Sequence, residues 1–546
     1  MTPPAPPRAR PRRALLAGAA GNFVEWYEFG VYGCFATVIA AHFFTPASTG
    51  GGGSGGSGGA GPLIATYASF AVAFFFRPAG ALLFGRLGDR AGRRPTLILV
   101  IGLMTLATTL IGLLPTRATA GVAAPVLLTV LRALQGLSAG GEFGGAVALM
   151  TESAPPGRRG RYGAWQSLTV ALGLLAGAAT AALLATVLTP AALHAWGWRI
   201  PFLLALPLGL TALHLRTTLP PEPPPPVPPS PHVLCALPEP PAPPAPGRGE
   251  PPASPDRSAS LDSRALPGLP EPPGPSVSAW AAGHARGDAP VLPVPPERPE
   301  SGHTPALSAF PEPPSPPRSP ASAGLPEEGV PALPVPRSGG PDRAGTPPRG
   351  VGVRAVLLGV GRVMGWSAAG YTFLVVLPSY LQQTLGASFR EALIAAALAN
   401  LGFAAAILPA GMLSDRIGRR PVMLCGALTV TLLALPLLHL LQDPAASAPA
   451  KAAAVLGAGA VVGLLAGPGP AMLAEMFPAQ VRCTGLALAY ALANAVFSGC
   501  AGLIITALTA ATGDTDVPAL YAAGACAASA LALASLRGDD HKRPLR

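Results

Sequence analysis

The chain has 546 residues, of which 50% are hydrophobic and only 12% charged, and its mean hydropathy is +0.44. Soluble domains carry about 25% charged residues, so a water-soluble globule is excluded as the main body. The net charge of +11 does not point to nucleic acid, because the basic residues lie in short loops at the ends of apolar runs.

Apolar runs of about 20 residues cross a bilayer as helices, and the short alternating segments of a β-barrel are absent from the sequence. Taken in order, the runs predict six spans: Ala14–Phe43, Leu63–Phe84, Pro95–Leu114, Val122–Met150, Tyr162–Leu188 and Trp196–Leu215. A Gly/Ser tract from Gly50 to Gly61 separates the first two and reads as slack between helices. Trp196 and Trp198 suit a membrane interface. Proline then dominates from Leu219 to Gly350. Proline removes backbone donors and blocks helix and sheet, so this stretch is expected to be a disordered cytoplasmic linker whose protein partner, if it has one, is not specified. Six more spans follow: Val351–Leu385, Ala392–Leu413, Pro421–Leu441, Ala452–Ala474, Gly485–Ala511 and Pro518–Leu536. The expected fold is an all-α membrane protein of twelve transmembrane helices. It has an N-terminal bundle in residues 1–218, a linker in 219–350 and a C-terminal bundle in 351–546.

Charge placement orients the spans. Arg8, Arg10, Arg12 and Arg13 precede the first span, and Arg86, Arg90, Arg93 and Arg94 follow the second. Arg158, Arg159 and Arg161 follow the fourth, Arg416, Arg419 and Arg420 the eighth, and Arg537, Lys542, Arg543 and Arg546 the last. The opposite loops offer mainly Arg117, Arg390 and Lys451. The positive-inside rule therefore predicts a multi-pass protein of the plasma (inner) membrane with both termini in the cytoplasm.

The two halves repeat each other. Gly85-Arg86-Leu87-Gly88-Asp89-Arg90-Ala91-Gly92-Arg93-Arg94 returns as Gly411-Met412-Leu413-Ser414-Asp415-Arg416-Ile417-Gly418-Arg419-Arg420, read in both cases as a charged turn. Glu152, Pro155 and Arg159 return as Glu475, Pro478 and Arg482. The step along the chain from Asp89 to Asp415 is nearly the same as the step from Glu152 to Glu475. Two unrelated motifs with nearly one offset imply duplication, and transporters are commonly built from such halves with the solute site between them.

These loops resemble the signature of the major facilitator superfamily. The run Gly21-Asn22-Phe23-Val24-Glu25-Trp26-Tyr27-Glu28-Phe29-Gly30 resembles, more narrowly, its metabolite:proton symporter family, as do Arg132-Ala133-Leu134-Gln135-Gly136 and Trp196-Gly197-Trp198-Arg199. Glu28 stands where that family usually has Asp. The resemblance implies two pseudo-symmetric six-helix bundles and secondary active transport, by proton symport, of a small carboxylate-bearing or zwitterionic metabolite. An efflux carrier, or a sensor acting through the proline-rich loop, is the alternative.

Ionisable groups at membrane depth usually face a cavity or a partner. Glu25 and Glu28 are three apart on one helix, close enough to repel, so one is expected to hold a proton readily. Glu142 joins them as a proton-coupling candidate. Arg132 offers a fork that clamps a carboxylate or pairs with an acid of the first span. Gln135, Asn22, Tyr27 and Tyr371 are further solute-binding candidates, and Gln166, Tyr490 and Asn494 are polar or aromatic residues that either line the route or pack helices. Arg77 and Arg199 lie near predicted helix ends and are expected to snorkel. The resemblance implies that Gly85, Asp89 and Arg93, with Glu152 and Arg159, form a cytoplasmic gate, and that Asp415, Arg419, Glu475 and Arg482 are its second copy. No nucleotide loop, catalytic constellation or metal-ligand spacing is present in the sequence, so neither a cofactor nor enzyme activity is expected.

Overall fold

The computed structural model describes residues 11–46, 60–91, 93–140, 143–152, 154–217, 352–478, 481–536 and 542. The proline-rich stretch and most of the Gly/Ser tract lie outside the described residues. Both sets of six helices fall in one compact unit, made of residues 1–225 and 343–546.

Among the described residues the first half holds α1 (Pro11–Cys34, prolonged by Ala36–Ile39 and a π turn at Ala40–Phe44), α2 (Gly61–Ala91) and α3 (Arg93–Leu113). It continues with α4 (Ala123–Ala139, then Phe143–Glu152), α5 (Arg159–Val187) and α6 (Gly197–Thr217). The second half holds α7 (Val353–Gln383), α8 (Phe389–Ile417), α9 (Arg419–Gln442), α10 (Ala448–Met476), α11 (Arg482–Thr512) and α12 (Val517–Ala534). Ten of these are long and apolar enough to span a membrane. The remaining two are α1 and α4, whose helix is interrupted after Ala139. Leu82, Leu106, Leu183, Leu432 and Leu531 point outward, as side chains do when lipid is the solvent.

Packing repeats between halves. α2 packs on α4 as α8 packs on α10, α1 on α5 as α7 on α11, and α3 on α6 as α9 on α12. The halves meet along α5–α8 and α2–α11, which are also counterparts. The closest contacts use small residues, as membrane helices do. Gly136 of α4 rests on Ala73 O of α2, and Gly459 of α10 on Ala399 O of α8, with no room for a Cβ at either.

Helix ends differ from the sequence reading in ways that matter. The charged repeat is mostly helix, not turn. α2 continues to Ala91 and α8 to Ile417, and in the second copy the reversal falls on Gly418, at φ 102°. Asp, Ser and Arg are tolerable in a helix once it leaves the hydrocarbon, so the apolar count alone ended it too early. α8 begins on a capping box. Ser388 Oγ accepts from Glu391 N at 3.2 Å, and the Glu391 carboxylate accepts from Ser388 N at 3.0 Å, so two amides of the first turn are satisfied at once. Trp198 is not an interface anchor: it is fully buried, stacked on His42 and edge-on to Phe43. Arg199 does not snorkel either. It donates to Gly112 O and Leu114 O at 2.7 and 2.8 Å, closing the C-terminal end of α3.

Gly459→Ala places a methyl group on a backbone carbonyl and is expected to lower the melting temperature sharply or prevent folding. Gly457→Ala, which meets nothing within 4 Å, is expected to be neutral or to stabilise by about 0.5–1 kcal/mol. Thermal unfolding of the two purified variants checks this.

Candidate functional site

Two features stand out between the halves: an ionic latch at one end and a pair of adjoining cavities in the middle. The latch is built on Arg419. Gly418 turns the chain sharply enough for the first residue of α9 to fold back on α8. Arg419 Nη1 reaches Asp415 Oδ1 at 2.7 Å and Ser414 Oγ at 2.9 Å. Its Nη2 and Nε take Glu475 Oε1 and Oε2 at 3.0 and 3.3 Å, a two-pronged bond to α10. Asp415 then crosses to the other half. It accepts from the amides of Gly160 and Arg161 at 2.7 and 2.8 Å, at the positive end of α5. Here Gly160 and Gly411 let α5 and α8 touch, and a Cβ at Gly411 would stand 2.6 Å from Ala164 Cβ.

Two further pairs bridge the halves. Arg159 Nη1 lies 3.6 Å from Glu475 Oε1, and Arg482 Nη1 donates to Glu152 Oε1 at 2.6 Å. The sequence grouped Glu152 with Arg159 and Glu475 with Arg482 as two separate copies. The structure exchanges them, so each half's arginine meets the other half's glutamate. The side-chain placements of Gly85, Asp89 and Arg93 lie outside the described residues, and so does Glu142 altogether.

The larger cavity is a narrow space of about 30 Å³. Trp26, Phe143, Trp366, Tyr371, Phe403 and Tyr490 supply aromatic walls, and none of its described lining residues is charged. Phe143 and Tyr490, from opposite halves, stack at 3.5 Å between centroids. Three lining groups are buried without a hydrogen-bond partner: Gln166 Oε1, Ser367 Oγ and the Tyr371 hydroxyl. Such groups are costly unless something completes them.

The smaller cavity, about 20 Å³, shares Trp26, Phe143 and Tyr490 with the larger one and is lined by Glu25, Arg77 and Asn22. Arg77 Nη2 donates to Glu25 Oε1 at 2.8 Å, with side chains 5% and 6% exposed. The guanidinium carbon lies 4.4 Å from the Phe74 ring centre and 4.8 Å from that of Phe29, a cation–π setting. Arg77 therefore does not snorkel. With α2 running on to Ala91 it stands well inside the helix, and it is the cation the sequence reading missed.

Glu28 faces elsewhere. Three residues on an α-helix fall about 60° short of a full circle, enough to aim Glu25 at α2 and Glu28 into the first bundle. Gln135 Nε2 sits 3.5 Å from Glu28 Oε2 and 2.6 Å from Thr108 Oγ1, and Arg132 Nη1 donates to Gln135 Oε1 at 2.8 Å. Arg132 also lies 3.4 Å over the Tyr32 ring. Glu28, Arg132 and Gln135 are all about 1% exposed and line neither cavity. In this structure Arg132 reaches neither cavity, because Phe29, Tyr32 and Phe70 surround it. The Tyr27 hydroxyl donates to Pro201 O at 3.0 Å and ties α1 to α6. Asn22 is held by Gln166 and Thr169 of α5 and borders the smaller cavity. Tyr371, Gln166, Tyr490 and Asn494 all line the larger one.

Residues 14–224 match the family of sugar (and other) transporters, and residues 357–546 match the major facilitator superfamily. This chain belongs to the major facilitator superfamily. It is 29% identical to the ectoine/proline transporter of Corynebacterium glutamicum over 520 residues, covering 94% of this chain and 82% of the relative. It is 28% identical to the citrate–proton symporter of Klebsiella pneumoniae over 508 residues, covering 93% and 88%. A D-xylose–proton symporter structure superposes with a TM-score of 0.58 at 16% identity, over 98% of this chain and 99% of that one.

In this facilitator the halves also meet at the end far from the latch, with different chemistry. Thr37 Oγ1 donates to Gln382 Oε1 at 2.9 Å, Tyr67 and Ser379 share a hydroxyl bond of 2.6 Å, and Phe35 packs on Phe389. One end is thus tied by charges and the other by neutral groups. Glu475→Gln, which breaks a buried two-pronged pair inside the second half (6% exposed), is expected to destabilise that bundle by about 3–5 kcal/mol and to weaken latch closure only through the 3.6 Å contact with Arg159. Glu152→Gln removes a pair whose acid is 49% exposed and is expected to weaken latch closure by about 1 kcal/mol or less. Distances between spin labels on α5 and α8 measure the difference.

Proposed function

We propose that this chain is a proton-coupled symporter of a small carboxylate-bearing metabolite, working by alternating access between its two bundles. The observation that carries this reading is the Glu25–Arg77 pair in a cavity that adjoins an aromatic chamber between the halves.

Among the described residues lining the paired cavities, Arg77 is the cation and Glu25 the acid bonded to it. A solute carboxylate entering the smaller cavity competes with Glu25 for one guanidinium. With a solute of net charge −1, two carboxylates and the Arg77 guanidinium leave a net negative charge in a poorly solvated space, which is strongly disfavoured. The arrangement is neutral again when Glu25 binds a proton. Carboxylate entry and proton entry are therefore coupled one to one, without any group having to move far. The rest of the solute lies against Trp26, Trp366 and Tyr490, whose faces accept apolar or cationic groups. Gln166 Oε1, Ser367 Oγ and the Tyr371 hydroxyl complete its hydrogen bonds.

The name of the Klebsiella relative, a citrate–proton symporter, and that of the Corynebacterium relative, an ectoine/proline transporter, support proton coupling and a carboxylate solute. The arginines at the latch end support a reading in which that end and both termini face the cytoplasm of an inner-membrane protein. Residues 1–218 and 351–546 are the two moving bundles and 219–350 the connection between them. Breaking the latch while the far end stays closed opens the cavities inward, and the reverse opens them outward. Glu28, Gln135 and Arg132 act in this reading as a brace within the first bundle.

Reconstituted vesicles supplied with a radiolabelled monocarboxylate test the proposal. An inward proton gradient is expected to drive accumulation by the parent protein. Glu25→Gln is expected to abolish gradient-driven accumulation while retaining exchange of solute across the membrane, and Arg77→Lys to raise the KM at least tenfold. If Glu28→Gln uncouples and Glu25→Gln does not, the proton site moves to the sealed network around Arg132. Uptake indifferent to the gradient removes proton coupling altogether.

A further inference from the structure

Two helices that wall the larger cavity are not regular. α7 contains a π turn at Thr372–Val376 and α11 another at Asn494–Gly499. A π turn is a rare single-turn departure from the α-helix and is found mostly where a protein functions. Each of these turns has two faces. Leu374 and Val375 of the first, and Asn494 and Ser498 of the second, line the cavity. The same turns touch the opposite bundle. Val375 meets Gly33 of α1, where a Cβ would stand 2.5 Å from Val375 Cγ1. Gly499 meets Phe74 of α2, where a Cβ would stand 2.7 Å from Phe74 Cβ. Beyond the α7 turn, toward the end far from the latch, come Ser379 and Gln382, which bond to Tyr67 and Thr37 of the first half.

Each turn is also held from outside its own helix. Asn400 of α8, 1% exposed, donates Nδ2 to Leu374 O at 3.2 Å, and to Ala396 O of its own helix at 2.9 Å. Tyr521 of α12 donates its hydroxyl to Phe497 O at 2.8 Å. In a regular helix a carbonyl is served by the amide four residues on. Here a neighbouring helix serves a carbonyl inside each π turn, twice, at the two places where cavity wall and inter-bundle contact coincide.

We propose that Asn400 and Tyr521 are positioning residues that hold the two π turns and thereby set how tightly the far end closes over the cavity. Neither side chain lines the cavity, so both act through the turns. The consequence for transport rests on the function proposed above; the closure itself does not.

The test uses the full chain in nanodiscs with its native cysteines changed to alanine. Gln382→Cys reports on the far end and Thr151→Cys, buried beside Glu152, on the latch end. Tyr521→Phe and Asn400→Leu are each expected to raise the rate of maleimide labelling at position 382 about fivefold, the effect of one lost hydrogen bond of about 1 kcal/mol. Labelling at position 151 is expected to stay unchanged. An unchanged rate at 382, or an equal rise at both ends, overturns the proposal, the latter because it marks general loosening. If Asn400→Leu does not fold, Tyr521→Phe, which removes one oxygen, decides alone. A chain that carries no solute but shows the far-end rise keeps this proposal and loses the earlier one.

Discussion

A guanidinium buried in a membrane protein needs an acid, and an acid there needs a cation. That mutual need joins Arg77 to Glu25 and makes the rest of the architecture intelligible. The pair lies where α1 and α2 of one bundle approach α11 of the other, against aromatic rings that stabilise the cation without neutralising it. The described walls of the aromatic chamber next door contain no charge of their own, and Arg77 is the described guanidinium that borders the adjoining cavity. In the proposed function, selectivity for a carboxylate and sensitivity to protons have the same origin in that pair.

The two ends of the molecule solve opposite problems with opposite chemistry. Ion pairs at the latch end are strong when made and readily hydrated when broken. The neutral hydroxyl and amide contacts at the far end hold with less energy and need no counter-charges on opening. The exchange of partners between the two duplicated motifs follows from the pseudo-twofold arrangement. An arginine that met its own half's glutamate would brace one bundle, whereas one that meets the other half's glutamate holds the bundles together. The close α5–α8 contact around Gly160 and Gly411 gives those charges the short distances they need.

Much of this was legible in the chain. The spans, the duplication and the membership of the superfamily follow from apolar runs and from motifs repeated at one offset, because lipid imposes length and polarity on every crossing helix. The latch residues of the second half were legible for the same reason. The cavity was less so. Helical spacing put Glu25 and Glu28 near each other, but their different angular positions on α1 send one to the cavity and the other into a bundle. Arg77 was misjudged because hydropathy ended α2 at Phe84, well short of Ala91, to which the polar but helix-competent repeat carries it. The π turns of α7 and α11 leave no composition signal, and the side chains that bond to them, Asn400 and Tyr521, come from other helices. Trp198 shows the same limit: an indole near a predicted boundary is a surface anchor or a core residue depending on what packs beside it.

The most direct measurement is the number of protons bound when a carboxylate binds. Mixing the purified protein with a binding carboxylate in weak buffer, at a pH where that carboxylate is fully ionised, and following a pH indicator gives the ratio without any transport step. Competition for Arg77 predicts one proton taken up per solute bound, and none when Glu25 is glutamine. Solute binding by the parent protein with no proton uptake would contradict the account.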